Sequence, residues 1–178
     1  LRVGEPRLGL ALAGLVPAGN VSNDLVSTHL RAHVERLPDG WPTAATWLCA
    51  VRLDDGRRTV LGRDARPDAD LATAVEASTA VPGYFTPVVL DGRRYIDGGS
   101  HSVTNVDLTA GLGFDLVVVV SPLTTTRPTV GGHPAHLARA LRSRVLAREV
   151  AAVRRTGSRV FVIQPAPEDL AALSGNPL

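Results

Sequence analysis

Leu116-Val117-Val118-Val119-Val120 runs into Ser121-Pro122, and Val160-Phe161-Val162-Ile163 follows some forty residues later. The first run is rich in β-branched residues and lacks polar alternation, the pattern of a strand buried on both faces. A Thr/Pro/Gly segment, 124–132, separates it from a predicted helix over about 134 to 155. In that helix Leu137, Leu141, Val145, Val150 and Val153 are broadly periodic, and Gly157 ends it. Residues 160–163 read as a second buried strand. Strand, long helix, strand is a right-handed crossover, which requires a parallel sheet covered by helices. The expected fold class is therefore α/β: a three-layer sandwich with a mainly parallel sheet covered by helices, plus short antiparallel hairpins.

The hairpins are read upstream. Residues 47–53 form a strand pattern, Asp55-Gly56 is a hairpin turn, and 58–61 return. Asp70 can cap a short Ala-rich helix over 71–79 that Pro82-Gly83 ends. Residues 88–90 and 93–96 then flank a second turn, Asp91-Gly92. Nearer the start, Ser22 is the expected N-cap of a helix to Leu37, with Val26, Leu30, Val34 and Leu37 on one face and Pro38-Asp39-Gly40 as the stop. Residues 168–173 make a short closing helix.

Composition bounds the function classes. With 178 residues, 44% apolar and only 4% aromatic, the chain can bury one core built mainly from Ala, Val and Leu. A single cysteine, Cys49, excludes an internal disulfide framework and a cysteine-rich zinc module. The longest uncharged stretch, 8–23, is interrupted by Gly9, Gly14, Pro17 and Gly19 and falls short of the ~20 residues a membrane span needs. The chain begins at Leu1 and contains no methionine, so a processed or truncated chain is expected. Its cysteine usage points to the cytoplasm.

Net charge is only +2, because 19 arginines stand against 17 carboxylates. No lysine is present to titrate, which lifts the isoelectric point to about 9.3 without a strong positive field. The distribution matters more. Residues 127–159 hold eight arginines and one acid, Glu149. That segment could meet an anionic lipid surface or nucleic acid, or be a solvated helix face.

The densest patch of unusual residues spans 77–105: Ala-Ser-Thr-Ala-Val-Pro-Gly-Tyr-Phe-Thr-Pro, then Asp-Gly-Arg-Arg-Tyr-Ile-Asp-Gly-Gly, then Thr104-Asn105. Asp97 follows a short strand and is backed by Gly98 and Gly99. Two glycines let the backbone turn sharply and leave room for another segment to approach the carboxylate. An Asp-Gly-Gly of this kind is a structural turn or a catalytic carboxylate.

The patch resembles the C-terminal half of the patatin-like phospholipase family, bacterial type. It is similar to that family's Ala-Ser-x-Ala-x-Pro-x-x-Phe-x-Pro run, here Ala77, Ser78, Ala80, Pro82, Phe85 and Pro87, followed by a hairpin and the Asp-Gly-Gly. The Leu-Val-Val-Val-Val-Ser-Pro strand and the Arg-rich helix are also similar, so the likeness extends from about residue 15 to 167. The resemblance implies a lipid acyl-ester hydrolase with a Ser–Asp dyad, in which Asp97 is the catalytic carboxylate. It implies no cofactor and no metal, and a lipid or acyl-ester substrate. The family's nucleophile sits in a Gly-x-Ser-x-Gly elbow behind a Gly-rich oxyanion loop, and neither string occurs here. The nearest, Gly98-Gly99-Ser100-His101-Ser102, lacks the last glycine and follows the aspartate. Residues 1–178 are therefore expected to be the C-terminal portion of one acyl-hydrolase domain, partnered by its upstream half and inactive alone. Peripheral contact with an anionic membrane is compatible with the basic segment, and no nucleic-acid partner is expected. The alternative is a catalytically incomplete module that binds anionic lipid or nucleic acid through its Arg-rich helix.

Other candidates read as structural. Ser100 and His101 are adjacent, so their side chains diverge and do not form a relay. His29 and His33 are four apart on a helix, but the glutamate of a metal-binding pair is missing. His133 and His136 bracket a helix start. Cys49, within a strand pattern, is expected to be a buried thiol. Asn105 is read as holding its loop through side-chain to backbone bonds, and Ser78 as a small packing residue.

Overall fold

Turn chemistry and small-residue packing build the first half of the chain. The computed structural model describes residues 19–37, 40–62, 69–127 and 134–173, and the chain divides into two units, 1–101 and 102–178. In the first unit, β1 (Leu48–Arg52) and β2 (Arg58–Leu61) form an antiparallel hairpin with Ala50 opposite Thr59. Gly56 at its turn has φ 68°. Arg52 clasps Asp55 through both guanidinium edges, with Nε 3.0 Å from Oδ1, and so staples the turn to its own strand. The second hairpin pairs β3 (Val88–Leu90) with β4 (Arg93–Asp97). Its turn residues, Asp91 and Gly92, both have positive φ, 48° and 69°. Positive φ at both central positions is the primed geometry that matches strand twist, and it explains the Asp-Gly dipeptide.

The two hairpins join. β4 pairs with β1, placing Asp97 opposite Ala50, and the four strands run in the order β2-β1-β4-β3. Neighbouring residues in these strands serve opposite faces. Ala50 and Tyr95 belong to a cluster with Leu61, Ala74, Ala77, Ala80, Val88 and Leu90, whereas Val51 and Ile96 pack with Leu53. α2 (Leu71–Ser78) lies on the first face, with Ala72, Ala74 and Ala77 fully buried. Its N-cap is Asp70, whose side chain accepts the Thr73 N–H at 2.7 Å. α1 (Asp24–Val34) is tied to α2 by Asn23, whose amide donates to Glu76 O at 2.9 Å and Thr79 Oγ1 at 2.8 Å.

The second unit contains the crossover. β5 (Leu116–Val120) and β6 (Arg159–Ile163) are parallel, in register from Leu116 opposite Arg159 to Val120 opposite Ile163. Between them runs α3 (Pro134–Arg155), and α4 (Pro167–Leu173) follows. Val117, Val119 and Val160 pack with Leu146, Val150, Val153 and Val106 in one core. Arg139 anchors the start of the crossover by donating to Pro122 O at 2.7 Å and Thr124 O at 3.0 Å.

Several expectations are corrected. Among the described residues the four-stranded sheet is antiparallel and the parallel β5–β6 sheet has two strands, so the sheet content is not mainly parallel. The reason is the β1–β4 pairing, which merges two hairpins into one sheet. β5 is not buried on both faces: Val117 and Val119 point to α3, whereas Leu116, Val118 and Val120 are exposed. One helix covers one face of a strand, and hydrophobicity without alternation cannot report how many faces are covered. The first helix is capped at Asn23 rather than Ser22 and ends at Val34, although Ser22 Oγ still accepts the Asp24 N–H at 3.3 Å. Pro38 and Asp39, most of the 8–23 stretch and His133 lie outside the described residues.

Candidate functional site

Asp97 closes β4 and serves as the N-cap of a single 3-10 turn, Gly98–Ser100. Hydrogen bonds and strand pairing fix it. Its N–H donates to Ala80 O at 2.9 Å, and its Oδ1 accepts the Gly99 N–H at 2.7 Å. Its strand partner Ala50 is fully buried. Gly98 is buried against β1, where a Cβ would lie 2.2 Å from the Cys49 carbonyl oxygen, so only glycine fits. At Gly99 a Cβ would approach Asp97 Oδ1 to 3.1 Å and crowd the carboxylate. Both glycines therefore have a steric cause: one admits β1, the other clears the acid. His101 then donates its N–H to Gly98 O at 2.9 Å and closes the turn.

The Ala-Ser-x-Ala run sits directly beneath. Ala77 packs α2 on the sheet, and Ala80, also fully buried, offers the carbonyl that holds Asp97. Pro82-Gly83, with φ 79° at the glycine, then turns the chain outward. Val81 and Tyr84 are exposed there, and Tyr84 meets Phe85 edge to face at 4.7 Å between ring centres. The turn is fastened to Val21, whose N–H donates to Tyr84 O at 3.4 Å while Thr86 N–H donates to Val21 O at 3.0 Å. Gly19 lies under the same turn, where a Cβ would clash with the Tyr84 backbone at 2.1 Å. The sequence patch 77–99 thus becomes a single local assembly around one half-buried carboxylate.

Asn105, in the second unit, adopts a left-handed conformation with φ 50° and binds Ser102 O through Nδ2 at 2.6 Å, which is the loop-holding role expected for it. Sequence reasoning missed Glu149. It is 8% exposed on α3, where it accepts Thr104 Oγ1 at 2.8 Å and Val106 N–H at 3.3 Å. Burial pushes its carboxyl above the ordinary glutamate range, against hydrogen bonds from Ser102 and Thr104 that favour the charged form. The signal was present: the lone acid among eight arginines is in phase with Leu146, Val150 and Val153 on the inward face.

The remaining candidates sit apart. His29 and His33 are exposed on α1, and His136 is exposed in the first turn of α3. Cys49 is half-buried rather than buried, and what it brings to the site is its carbonyl. A hollow lined by Arg31, Val34, Glu35, Leu37, Gly40 and Asp70 shares no residue with the Asp97 turn. No described helix is long and apolar enough to cross a membrane.

Comparison with known families adds one match. The model of the patatin-like phospholipase family matches residues 11–110, which include the whole 77–105 patch. No curated protein and no solved structure matches the chain. The crossover β5-α3-β6 lies beyond the matched residues.

Proposed function

The chain belongs to the patatin-like phospholipase family, a family of lipid-ester hydrolases, and on that premise we propose that Asp97 is the general base of a Ser–Asp dyad. The observation that carries this reading is the construction around Asp97. A carboxylate at a strand end is held through Oδ1, with both following residues stripped to glycine, inside the matched span.

Residues 1–178 are the C-terminal portion of a single acyl-hydrolase domain in this reading. The serine elbow and the oxyanion loop come from the upstream half, which also supplies the rest of a three-layer α/β sandwich. The serine hydroxyl oxygen attacks the ester carbonyl carbon as its proton passes to the Asp97 carboxylate. Backbone N–H groups of the oxyanion loop stabilise the tetrahedral oxyanion. The C–O bond to the alcohol then breaks and Asp97 returns the proton to the departing oxygen. Water, deprotonated by the same carboxylate, then attacks the acyl carbon, the bond from that carbon to the serine oxygen breaks, and Asp97 returns the proton to the serine. No metal or cofactor enters these steps. Val81 and Tyr84, exposed on the turn fastened to Asp97, offer apolar surface to an acyl chain.

Asp97→Asn is the decisive substitution, since an asparagine oxygen can still accept the Gly99 N–H while its amide cannot take a proton. In the domain that includes the upstream half, hydrolysis of a dispersed lipid ester is expected to fall at least about a hundred-fold, with the melting temperature retained. Undiminished hydrolysis by the variant would remove Asp97 from the mechanism.

A further inference from the structure

The one long helix of the second unit has two unlike faces. Leu146, Glu149, Val150 and Val153 point inward and are buried. Leu137, Leu141, Arg144, Arg148, Ala151 and Arg155, spaced by three, four or seven residues, form a single outward stripe, and all six are exposed. The sole carboxylate of residues 127–159 is Glu149, and it is turned into the core, so nothing on the stripe neutralises its arginines. Arg139 and Arg154 are engaged with backbone carbonyls of their own unit. Arg142, Arg144, Arg148 and Arg155 form no ion pair among the described residues. Two leucines, 63% and 49% exposed, stand on the same stripe at its N-terminal end.

We propose that this outward face of α3 docks on anionic phospholipid membranes. Arg144, Arg148 and Arg155 meet the headgroup phosphates, and Leu137 and Leu141 enter the boundary of the acyl chains. Charge complementarity chooses an anionic occupant, since an all-arginine face presents forked donors suited to phosphate oxygens. The leucines choose a membrane over a nucleic acid. Phosphates along a duplex give an exposed leucine nothing to bury against, whereas an interfacial helix gains from burying apolar side chains below its cationic row. The crossover lies outside the residues that match the family model, so this surface goes beyond the hydrolase reading and stands independently of it.

Co-sedimentation of the full chain with vesicles tests the proposal without requiring turnover. The chain is expected to bind phosphatidylcholine vesicles doped with phosphatidylserine, to ignore pure phosphatidylcholine, and to release as salt rises. Arg144→Gln with Arg148→Gln should weaken binding about 25-fold, from about five-fold per cationic side chain. Leu137→Ser with Leu141→Ser should weaken it about ten-fold or more while leaving its salt dependence in place. Ala151→Glu, a single change on an exposed helical position, should weaken it too and serves if either double variant loses its fold. Equal binding to both vesicle types, or variants that bind like the parent, would overturn the proposal. So would tight binding of a duplex oligonucleotide that the leucine changes leave untouched, alongside no vesicle binding. A chain that docks on vesicles but hydrolyses nothing with its upstream half contradicts the hydrolase reading and leaves the docking face standing.

Discussion

Gly98 shows how a single residue couples the candidate site to the sheet. The Cys49 carbonyl occupies the place of a side chain at 98, so Gly98→Ala must push β1 away from the turn that follows Asp97. Overpacking of this kind costs about 1–3 kcal/mol, which urea denaturation would read as a lower midpoint with an unchanged slope. Glu149 makes a different demand. Its carboxyl is held above the ordinary glutamate range by burial, so the folded state binds this proton more tightly than the unfolded chain does. The stabilisation is fully present below the unfolded glutamate value and is lost as pH rises through the folded one. Glu149→Gln should flatten thermal stability across that window. Glu149→Ala should cost about 1–3 kcal/mol below that window and less above it, because Thr104 Oγ1 and the Val106 N–H lose a buried acceptor. At this scale the turn after Asp97 was legible in the sequence because two glycines follow the aspartate. The reason for the first glycine was not, since Cys49 lies in a different hairpin and only pairing brings them together.

Elements were legible wherever their ends carry local chemistry. The helix capped by Asp70 and the two Asp-Gly hairpins needed no tertiary information, because a cap or a positive φ is decided within a few residues. Asp70→Ala is accordingly expected to cost about 1 kcal/mol, seen as a lower thermal midpoint, and Asp70→Ser to restore most of it. The cap of the first helix was misplaced by one residue because the Asn23 amide is drawn away to Glu76 and Thr79, a contact across more than fifty residues. The burial of β5 was misread for a related reason. A run of valines states that a strand can be buried, and the number of helices laid on it is a property of the fold. The long helix was found at its full extent, yet its apolar periodicity mixed two faces, with Leu137 and Leu141 outward and Val150 and Val153 inward.

At the scale of the molecule, the crossover announced α/β architecture correctly, while the sheet content did not follow from it. Ala50 opposite Asp97 is the pairing that joins the hairpins into one antiparallel sheet, and its register is non-local. The same pairing carries the functional account, because it sets Asp97 at the end of a central strand with its turn packed on β1. In the proposed dyad activity needs the serine as well as Asp97, so residues 1–178 alone are expected to leave lipid esters intact. The most direct test follows fluorophosphonate labelling of the complete domain by intact mass, with Asp97 present and with Asp97→Asn. Such a reagent reports an activated serine without needing a lipid surface. The account predicts one adduct, on the upstream half, formed at least about a hundred-fold more slowly in the variant. Labelling at equal rates in both proteins, or an adduct on Ser100, would contradict it.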